Sequence, residues 1–114
     1  MAKPGDYDIY CDKILKGKMK VEKIYESDNV LAFYHTNPLF EFHAVIIPKE
    51  HIHDMRDLED KHKELMWEIV KVAQDILETI DVERIGAQFR TGFGKSQSTP
   101  HLHFHVIGGK KIRE

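Results

Sequence analysis

The sequence predicts an α+β domain in which a five-stranded antiparallel sheet carries one long helix and one short helix. Three observations support this fold class. Five short apolar segments are typical of strands, one longer stretch repeats apolar side chains at helical spacing, and that stretch lies between the third and fourth strands. Such an order favours helices segregated to one side of an antiparallel sheet. The 114 residues fit a single domain, residues 1–114.

The first half of the chain predicts a short helix followed by three strands. Residues 7–16 place apolar side chains at helical spacing, and Gly17 follows as a C-cap glycine should. A Ser-Asp-Asn turn separates the first two strands, and Pro48 stops the third. These strands are expected at residues 21–25, 30–34 and 42–47.

The second half predicts the long helix and the last two strands. Residues 58–80 carry one apolar stripe with a period of 3.6 residues. The stripe consists of Leu65, Ile69, Val72, Ala73, Ile76 and Ile80. Strands are expected at 84–90 and 102–107, joined by a glycine-rich loop, and Gly108-Gly109 is expected to end the last strand.

Composition excludes several classes of function. The 17 basic and 19 acidic residues give a net charge of -2, which offers no electrostatic case for nucleic acid or an anionic membrane as partner. No apolar run approaches the roughly 20 residues of a membrane span. The first residues lack the apolar core of a secretory signal, so we expect a cytoplasmic location. Cys11 is the single cysteine, which excludes an intramolecular disulfide and a cysteine-rich zinc site.

Three of the eight histidines fall within five consecutive residues, His101, His103 and His105. Side chains alternate between the two faces of a strand, so a strand here would project all three imidazoles from one face. The apolar residues between them would anchor the opposite face to the core. We therefore expect the three histidines to line an open face.

Two kinds of chemistry are compatible with such a row. Same-face neighbours lie about 6.6 Å apart, so the outer two histidines are separated by about 13 Å of backbone. For all three histidines to bind one ion at roughly 2.1 Å, both outer side chains would have to bend far inward. A metal site with two of these histidines and a third ligand from elsewhere in the chain is the remaining metal alternative. A central nucleophile with a helper on each side fits the spacing better. A neutral imidazole, with a reference pKa of about 6.5, can attack phosphorus and form a phosphohistidine that water resolves.

The segment His101-Leu-His-Phe-His-Val-Ile107 resembles the His-φ-His-φ-His-φ-φ signature (φ apolar) of the histidine triad, or HIT, superfamily. The similarity extends over about residues 9–109 and is greatest to the Hint branch of nucleotide-binding phosphoramidases. Further segments resemble that branch: Leu31-Ala-Phe33, Asn37-Pro38, His43-Ala-Val-Ile-Ile-Pro-Lys-Glu-His51 and Gln97-Ser98.

The resemblance implies a role for each matching residue. His103 corresponds to the nucleophile, while His101, His105 and a fourth histidine, His43, support it around the phosphate. Ser98 corresponds to the hydroxyl that contacts the phosphate and leaving group, and Gln97 to the polar residue before it. The base and ribose pocket would include Met19, Leu31, Phe33 and Thr36; for Leu31 and Phe33 a purely structural place in the core is an equal alternative.

The chain also departs from the branch at positions that bear on ligand binding. His35 stands where an aspartate usually accepts hydrogen bonds from the ribose, and Arg90 where an asparagine is usual. An arginine can clamp a phosphate or point to solvent. Many bacterial relatives bind structural zinc with an early Cys-x-x-Cys, for which we find Ile9 and Asp12 here. We therefore expect no metal and no cofactor.

The resemblance implies a homodimeric hydrolase. It would cleave a P–N or phosphoanhydride bond at the α-phosphate of a nucleotide or nucleoside phosphoramidate, through a nucleotidyl-His103 intermediate. A dinucleoside polyphosphate hydrolase is the enzymatic alternative. A nucleotide-sensing or scaffold protein with negligible turnover is the non-enzymatic alternative, and the substitutions at His35 and Arg90 keep it open.

Two more histidines are expected to have structural roles. We expect His51 to hydrogen-bond locally and His62 to lie on the surface of the long helix.

Overall fold

The structure is a computed structural model and describes residues 8–113. It contains five strands and two α-helices. The strands are β1 (Lys23–Glu26), β2 (Val30–Tyr34), β3 (Phe40–Pro48), β4 (Ala87–Arg90) and β5 (Phe104–Lys111), and the helices are α1 (Lys63–Leu77) and α2 (Val82–Ile85). A π-helical segment, Tyr10–Ile14, precedes the sheet, and short 3₁₀ turns occupy Met55–Asp57, Asp60–His62 and Gly94–Ser96. None of the helices in the described part of the chain is long and apolar enough to cross a membrane.

All five strands form one antiparallel sheet in the order β1-β2-β3-β5-β4. The predicted fold class is thereby confirmed. The central pairing joins β3 to β5 and places His43 opposite Ile107 and Val45 opposite His105. Residues far apart in the sequence, such as His43 and His105, are thus fixed side by side.

Both faces of the sheet are covered. The apolar stripe of α1 packs on one face, where Ile69 is completely buried against residues such as Ala32 and Phe104. The segment that contains Tyr10 and Ile14 packs on the other face, against Leu31 and Phe33. Alternation along β2 explains this division, because successive side chains point to opposite faces of a strand. The sheet is therefore sandwiched between a helix and the N-terminal segment.

Two predicted strand limits were wrong. Residues 84 and 85, expected to begin the fourth strand, belong to helix α2, because the Asp81 carboxylate accepts a hydrogen bond from the Arg84 backbone N–H and caps the turn. Gly86 ends this turn with a φ of +73°, a conformation that favours glycine. Strand β5 continues past Gly108-Gly109 to Lys111.

His62, predicted to be a surface residue, is buried. It belongs to the 3₁₀ turn before α1, and its Nδ1 accepts a hydrogen bond of 2.9 Å from the Glu59 backbone N–H. The side chain therefore helps to begin the helix, a role that the periodicity of the sequence did not indicate.

Candidate active site

A cavity of about 690 Å³ lies beside the end of the histidine row. Three elements of the sheet, the loop after β4 and the C-terminal tail contribute to its wall. The lining residues are His35, Asn37, Leu39, His43, Arg90, Thr91, Gly92, Ser96, Ser98, His105 and Arg113. Four residues predicted from the sequence to serve the site, other than the triad itself, are thus brought together here: His35, His43, Arg90 and Ser98.

The loop after β4 is fixed tightly against the histidines. The Thr91 hydroxyl donates a hydrogen bond of 2.6 Å to the His103 carbonyl oxygen. At Gly92 a Cβ atom would lie 2.5 Å from the backbone oxygen of Ser96, so a larger residue there would displace the loop. The loop that carries Ser98 to the cavity wall is therefore closely fitted at both of these points.

His43 and His105 form a directed hydrogen-bonded pair. Nδ1 of His43 accepts a hydrogen bond from the Leu39 backbone N–H at 3.1 Å, so in the neutral ring the hydrogen is on Nε2. That Nε2–H donates to Nδ1 of His105 at 2.9 Å. His105 must then carry its own hydrogen on Nε2. A backbone group therefore determines, through His43, which nitrogen of His105 is a donor.

Both rings are held neutral. Burial, followed by the charges of His35 and Arg90, lowers the pKa of His43 to about 4. Burial, and then the neighbouring imidazoles and Arg90, lowers the pKa of His105 to about 3. At neutral pH the tautomers described above are therefore the relevant forms.

His103 has one nitrogen engaged and one with a lone pair. Its Nδ1 donates to the His101 carbonyl oxygen at 2.7 Å, which leaves Nε2 as the unprotonated atom of the neutral ring. Burial lowers the pKa of His103. Its ring centroid lies 5.0 Å from that of His105 and 5.1 Å from that of Tyr10.

The expectation that the three histidines line an open face was wrong. His101 is 0% and His103 2% exposed, and only His105 reaches the cavity wall. Strand β5 begins at Phe104, so His101 and His103 precede it. The N-terminal segment covers this face, and its Tyr10 packs against both buried imidazoles.

A second cluster of polar side chains surrounds His101. We call it the Asp8 cluster; it consists of Asp8, Cys11, His51 and His101, whose ligand atoms all lie within 4.8 Å of one another. Nδ1 of His101 lies 2.7 Å from Oδ2 of Asp8 and 3.3 Å from Sγ of Cys11. Nδ1 of His51 lies 2.6 Å from the same Asp8 oxygen.

The donors of the Asp8 cluster fit a zinc ion. Thiolate, imidazole and carboxylate are the ligands that zinc prefers, and four of them suit a structural site. Nε2 of His101 is 2.8 Å from the Pro48 carbonyl oxygen, so it carries the hydrogen and leaves the Nδ1 lone pair facing Asp8. A metal-ligating histidine usually donates its second N–H in this way. Without a metal, the contact between His101 and Asp8 requires a proton shared by the two groups.

The Asp8 cluster was not predicted from the sequence, because the relatives' Cys-x-x-Cys points to Ile9 and Asp12. Ile9 and Asp12 are not members; Asp8 and Cys11 are, at the same three-residue spacing. The Asp8-x-x-Cys11 spacing, together with His51, was the feature of the sequence that could have indicated a zinc site. His51 was expected to bond locally, but its partner Asp8 is 43 residues away.

A second group of three imidazoles, His35, His43 and His105, is also close enough to surround an ion. The tautomers do not suit a metal there. Nδ1 of His35 accepts a hydrogen bond of 2.9 Å from the Asn37 backbone N–H, and Nδ1 of His43 accepts one from Leu39. Because a ligating nitrogen needs a free lone pair, the remaining Nε2–H groups of these two rings are donors and not ligands.

The other predicted binding residues do not line this cavity. Met19 and Leu31 line a separate cavity of about 420 Å³. Phe33 is buried in the core beside Tyr10. Thr36 is exposed, and the Gln97 side chain donates to the His53 carbonyl oxygen.

The fold and site define an α+β protein in which His103, a candidate nucleophile, is buried near a cavity. Comparison with known proteins identifies the family. Residues 8–112 match the model of the family described as "Scavenger mRNA decapping enzyme C-term binding". The chain belongs to the HIT superfamily.

Relatives and solved structures agree with this assignment. An uncharacterized HIT-like protein of Helicobacter pylori is 33% identical over 102 residues, which cover 88% of this chain and 95% of the relative. One from Borreliella burgdorferi is 36% identical over 104 residues, 89% of this chain and 75% of the relative. A HIT family hydrolase from Legionella pneumophila superposes with a TM-score of 0.81 at 28% identity, covering 93% of this chain and 96% of its own. A HIT family hydrolase from Clostridium thermocellum gives a TM-score of 0.81 at 30% identity, with 94% of both chains covered.

Proposed function

We propose that the protein is a HIT hydrolase that binds a nucleotide and cleaves a P–N bond at its α-phosphate, as a nucleoside phosphoramidase does. The observation that carries this proposal is the state of His103. Its Nδ1–H is directed at the His101 carbonyl oxygen, so Nε2 is left as a neutral nucleophile. Nε2 attacks phosphorus, the P–N bond breaks, and the leaving amine takes a proton from solvent, which the attacking water of the next step returns. Water then cleaves the nucleotidyl-histidine bond and releases the nucleotide.

His105 acts as a hydrogen-bond donor to the phosphate in this proposal. The chain of bonds from the Leu39 backbone through His43 keeps the hydrogen on Nε2 of His105. A donor with a fixed orientation stabilises the negative charge that develops on the phosphoryl oxygens. Ser98, at the wall of the same cavity, supplies a hydroxyl to the phosphate or the leaving group.

The burial of His103 sets a requirement on how the substrate enters. Because the ring is only 2% exposed, the phosphate has to approach Nε2 from the cavity, past His105. The packed ring of Tyr10 on the other side limits the entry of water.

The Asp8 cluster has a structural place in this proposal. Asp8, Cys11, His51 and His101 would hold a zinc ion, which would tie the N-terminal segment to the residue whose carbonyl oxygen orients His103. Zinc held by four protein ligands contributes to folding and leaves no position for a substrate. The chemical steps remain those of the imidazoles.

The test of the proposed activity uses two substrates and two variants. An adenosine phosphoramidate should be turned over by the native protein, and His103→Ala should abolish that activity. Arg84→Met, which changes an exposed residue of α2, should retain it. Full activity of His103→Ala would contradict the mechanism. Faster cleavage of diadenosine tetraphosphate than of the phosphoramidate would favour the dinucleoside polyphosphate hydrolase instead. The homodimer and the cytoplasmic location stay predictions.

A further inference from the structure

The cavity beside His105 has an unusual balance of charge. Its lining includes two guanidinium groups, Arg90 and Arg113, and no aspartate or glutamate among the residues that the structure describes. Neither arginine forms an ion pair within residues 8–113. Within the part of the chain that the structure describes, the wall therefore carries positive charge with no acidic partner, close to the place where the reacting phosphate is proposed to bind.

Arg113 is held in place by the loop that contains His35. Its Nε donates to the Pro38 carbonyl oxygen at 3.1 Å and its Nη2 to the Asn37 carbonyl oxygen at 3.3 Å. A guanidinium group has five N–H donors, so these two bonds position the group and leave others available to a ligand. Arg90 lies with its guanidinium carbon 5.5 Å from the centre of the Phe40 ring, on which it can stack.

His35 contributes a donor to the same wall. Its Nδ1 accepts from the Asn37 backbone N–H at 2.9 Å, so the hydrogen of the neutral ring is on Nε2. The charge of Arg113 assists burial in lowering the pKa of His35 and keeping the ring neutral. A group that binds here meets N–H donors from three side chains. A ribose hydroxyl can use one of them, but two free guanidinium groups are best matched by an anion.

We propose that His35, Arg90 and Arg113 form a second anion-binding site, which holds a negatively charged group of the substrate other than the phosphate that reacts. The substrate class is then a nucleotide with at least two anionic groups. The second group can be a phosphate of the leaving group or a phosphate on the sugar, and both offer the same chemistry to the arginines. This inference rests on the proposed function, because it takes the reacting phosphate to lie beside His105.

Binding measured by calorimetry tests this proposal without turnover. The full chain is titrated with AMP, with the non-hydrolysable α,β-methylene ADP, and with adenosine 3′,5′-bisphosphate. At least one of the two ligands that carry a second anionic group should bind about ten-fold or more tightly than AMP, about 1.4 kcal/mol. Preference for the methylene compound assigns the second anion to the leaving group, and preference for the bisphosphate assigns it to the sugar.

Arginine variants show whether that gain comes from the proposed site. Arg113→Met and Arg90→Met should each reduce the advantage over AMP to about three-fold or less. Arg84→Met is the matched control, because it removes an exposed guanidinium that does not line the cavity, and it should leave the advantage intact. Equal affinity for all three ligands, or an advantage that survives the Arg90→Met, Arg113→Met double variant, would overturn the second anion site. Failure to bind any of the three nucleotides would instead count against the proposed function.

Discussion

The neutral pair of His43 and His105 predicts that the protein loses stability when the pH falls below about 6.5. The pKa of His43 is about 4 in the folded protein and about 6.5 in an unfolded chain. Between these values the unfolded chain binds more protons, so the free energy of unfolding decreases as the pH decreases. The contribution of His43 is fully present above pH 6.5 and is lost as the pH approaches 4.

The magnitude follows from the size of the shift. A difference of one pKa unit corresponds to about 1.4 kcal/mol, so the shift of His43 is worth on the order of 3 kcal/mol at pH 7. Since His43 is buried and its shift comes mainly from burial, this contribution is little screened by solvent. His105 adds a contribution of the same sign, because its pKa is lowered to about 3.

Urea denaturation of the native protein and of His43→Asn, at intervals from pH 7 to pH 4, measures this contribution. The asparagine keeps a side-chain oxygen for the Leu39 N–H but binds no proton in this range. As the pH decreases, the free energy of unfolding of the native protein should fall more steeply than that of His43→Asn. The two slopes should differ by up to about 1.4 kcal/mol for each pH unit, which is the slope for one extra proton bound by the unfolded chain. Parallel curves for the two proteins would show that His43 is not held neutral and would refute the reasoning.

Three further predictions concern the core, the Asp8 cluster and the cavity. Ile69→Ala should lower the free energy of unfolding in urea by about 2–5 kcal/mol, because Ile69 is completely buried. Trp67→Ala changes a residue of the same helix that is 53% exposed, so it should lower the free energy of unfolding far less. Equal losses of stability in the two variants would contradict the assigned packing. Elemental analysis of purified protein should find about one zinc per chain, with Asp8→Ala lowering both zinc content and melting temperature; metal-free protein with an unaffected variant would disprove the site. Ser98→Ala should reduce kcat/KM for a phosphoramidate about ten-fold or more, by removing one hydrogen bond to the phosphate; unchanged kinetics would remove Ser98 from the site.

Local pattern was sufficient to predict the architecture. Helix α1 shows the period of its structure, and its apolar stripe is the buried one, from Ile69 to Ile76. Strand β2 is a short continuous apolar run, as expected of a strand that is buried on both faces. The error at residues 84–85 came from a short capped turn, where the Asp81 side chain outweighs the strand propensity of Ile85.

The arrangement around the histidines could not be predicted in the same way, because it depends on contacts distant in sequence. Asp8 meets His51 and His101 across 43 and 93 residues. The packing of the N-terminal segment buries the imidazoles that alternation alone would leave open. Arg113 lines the cavity only because β5 extends past the two glycines and returns the tail to the loop of Asn37. These contacts follow from the assembled sheet and not from any local period.

The central claim is that Nε2 of His103 forms a covalent bond to phosphorus. Rapid quenching of the protein with a radiolabelled adenosine phosphoramidate, followed by mass spectrometry of its peptides, tests this most directly. An adenylyl group should appear on the peptide that contains His103 before free AMP accumulates, and His103→Asn should show neither adduct nor turnover. Steady turnover by the native protein with no adduct at any time, or unchanged turnover by His103→Asn, would contradict the claim.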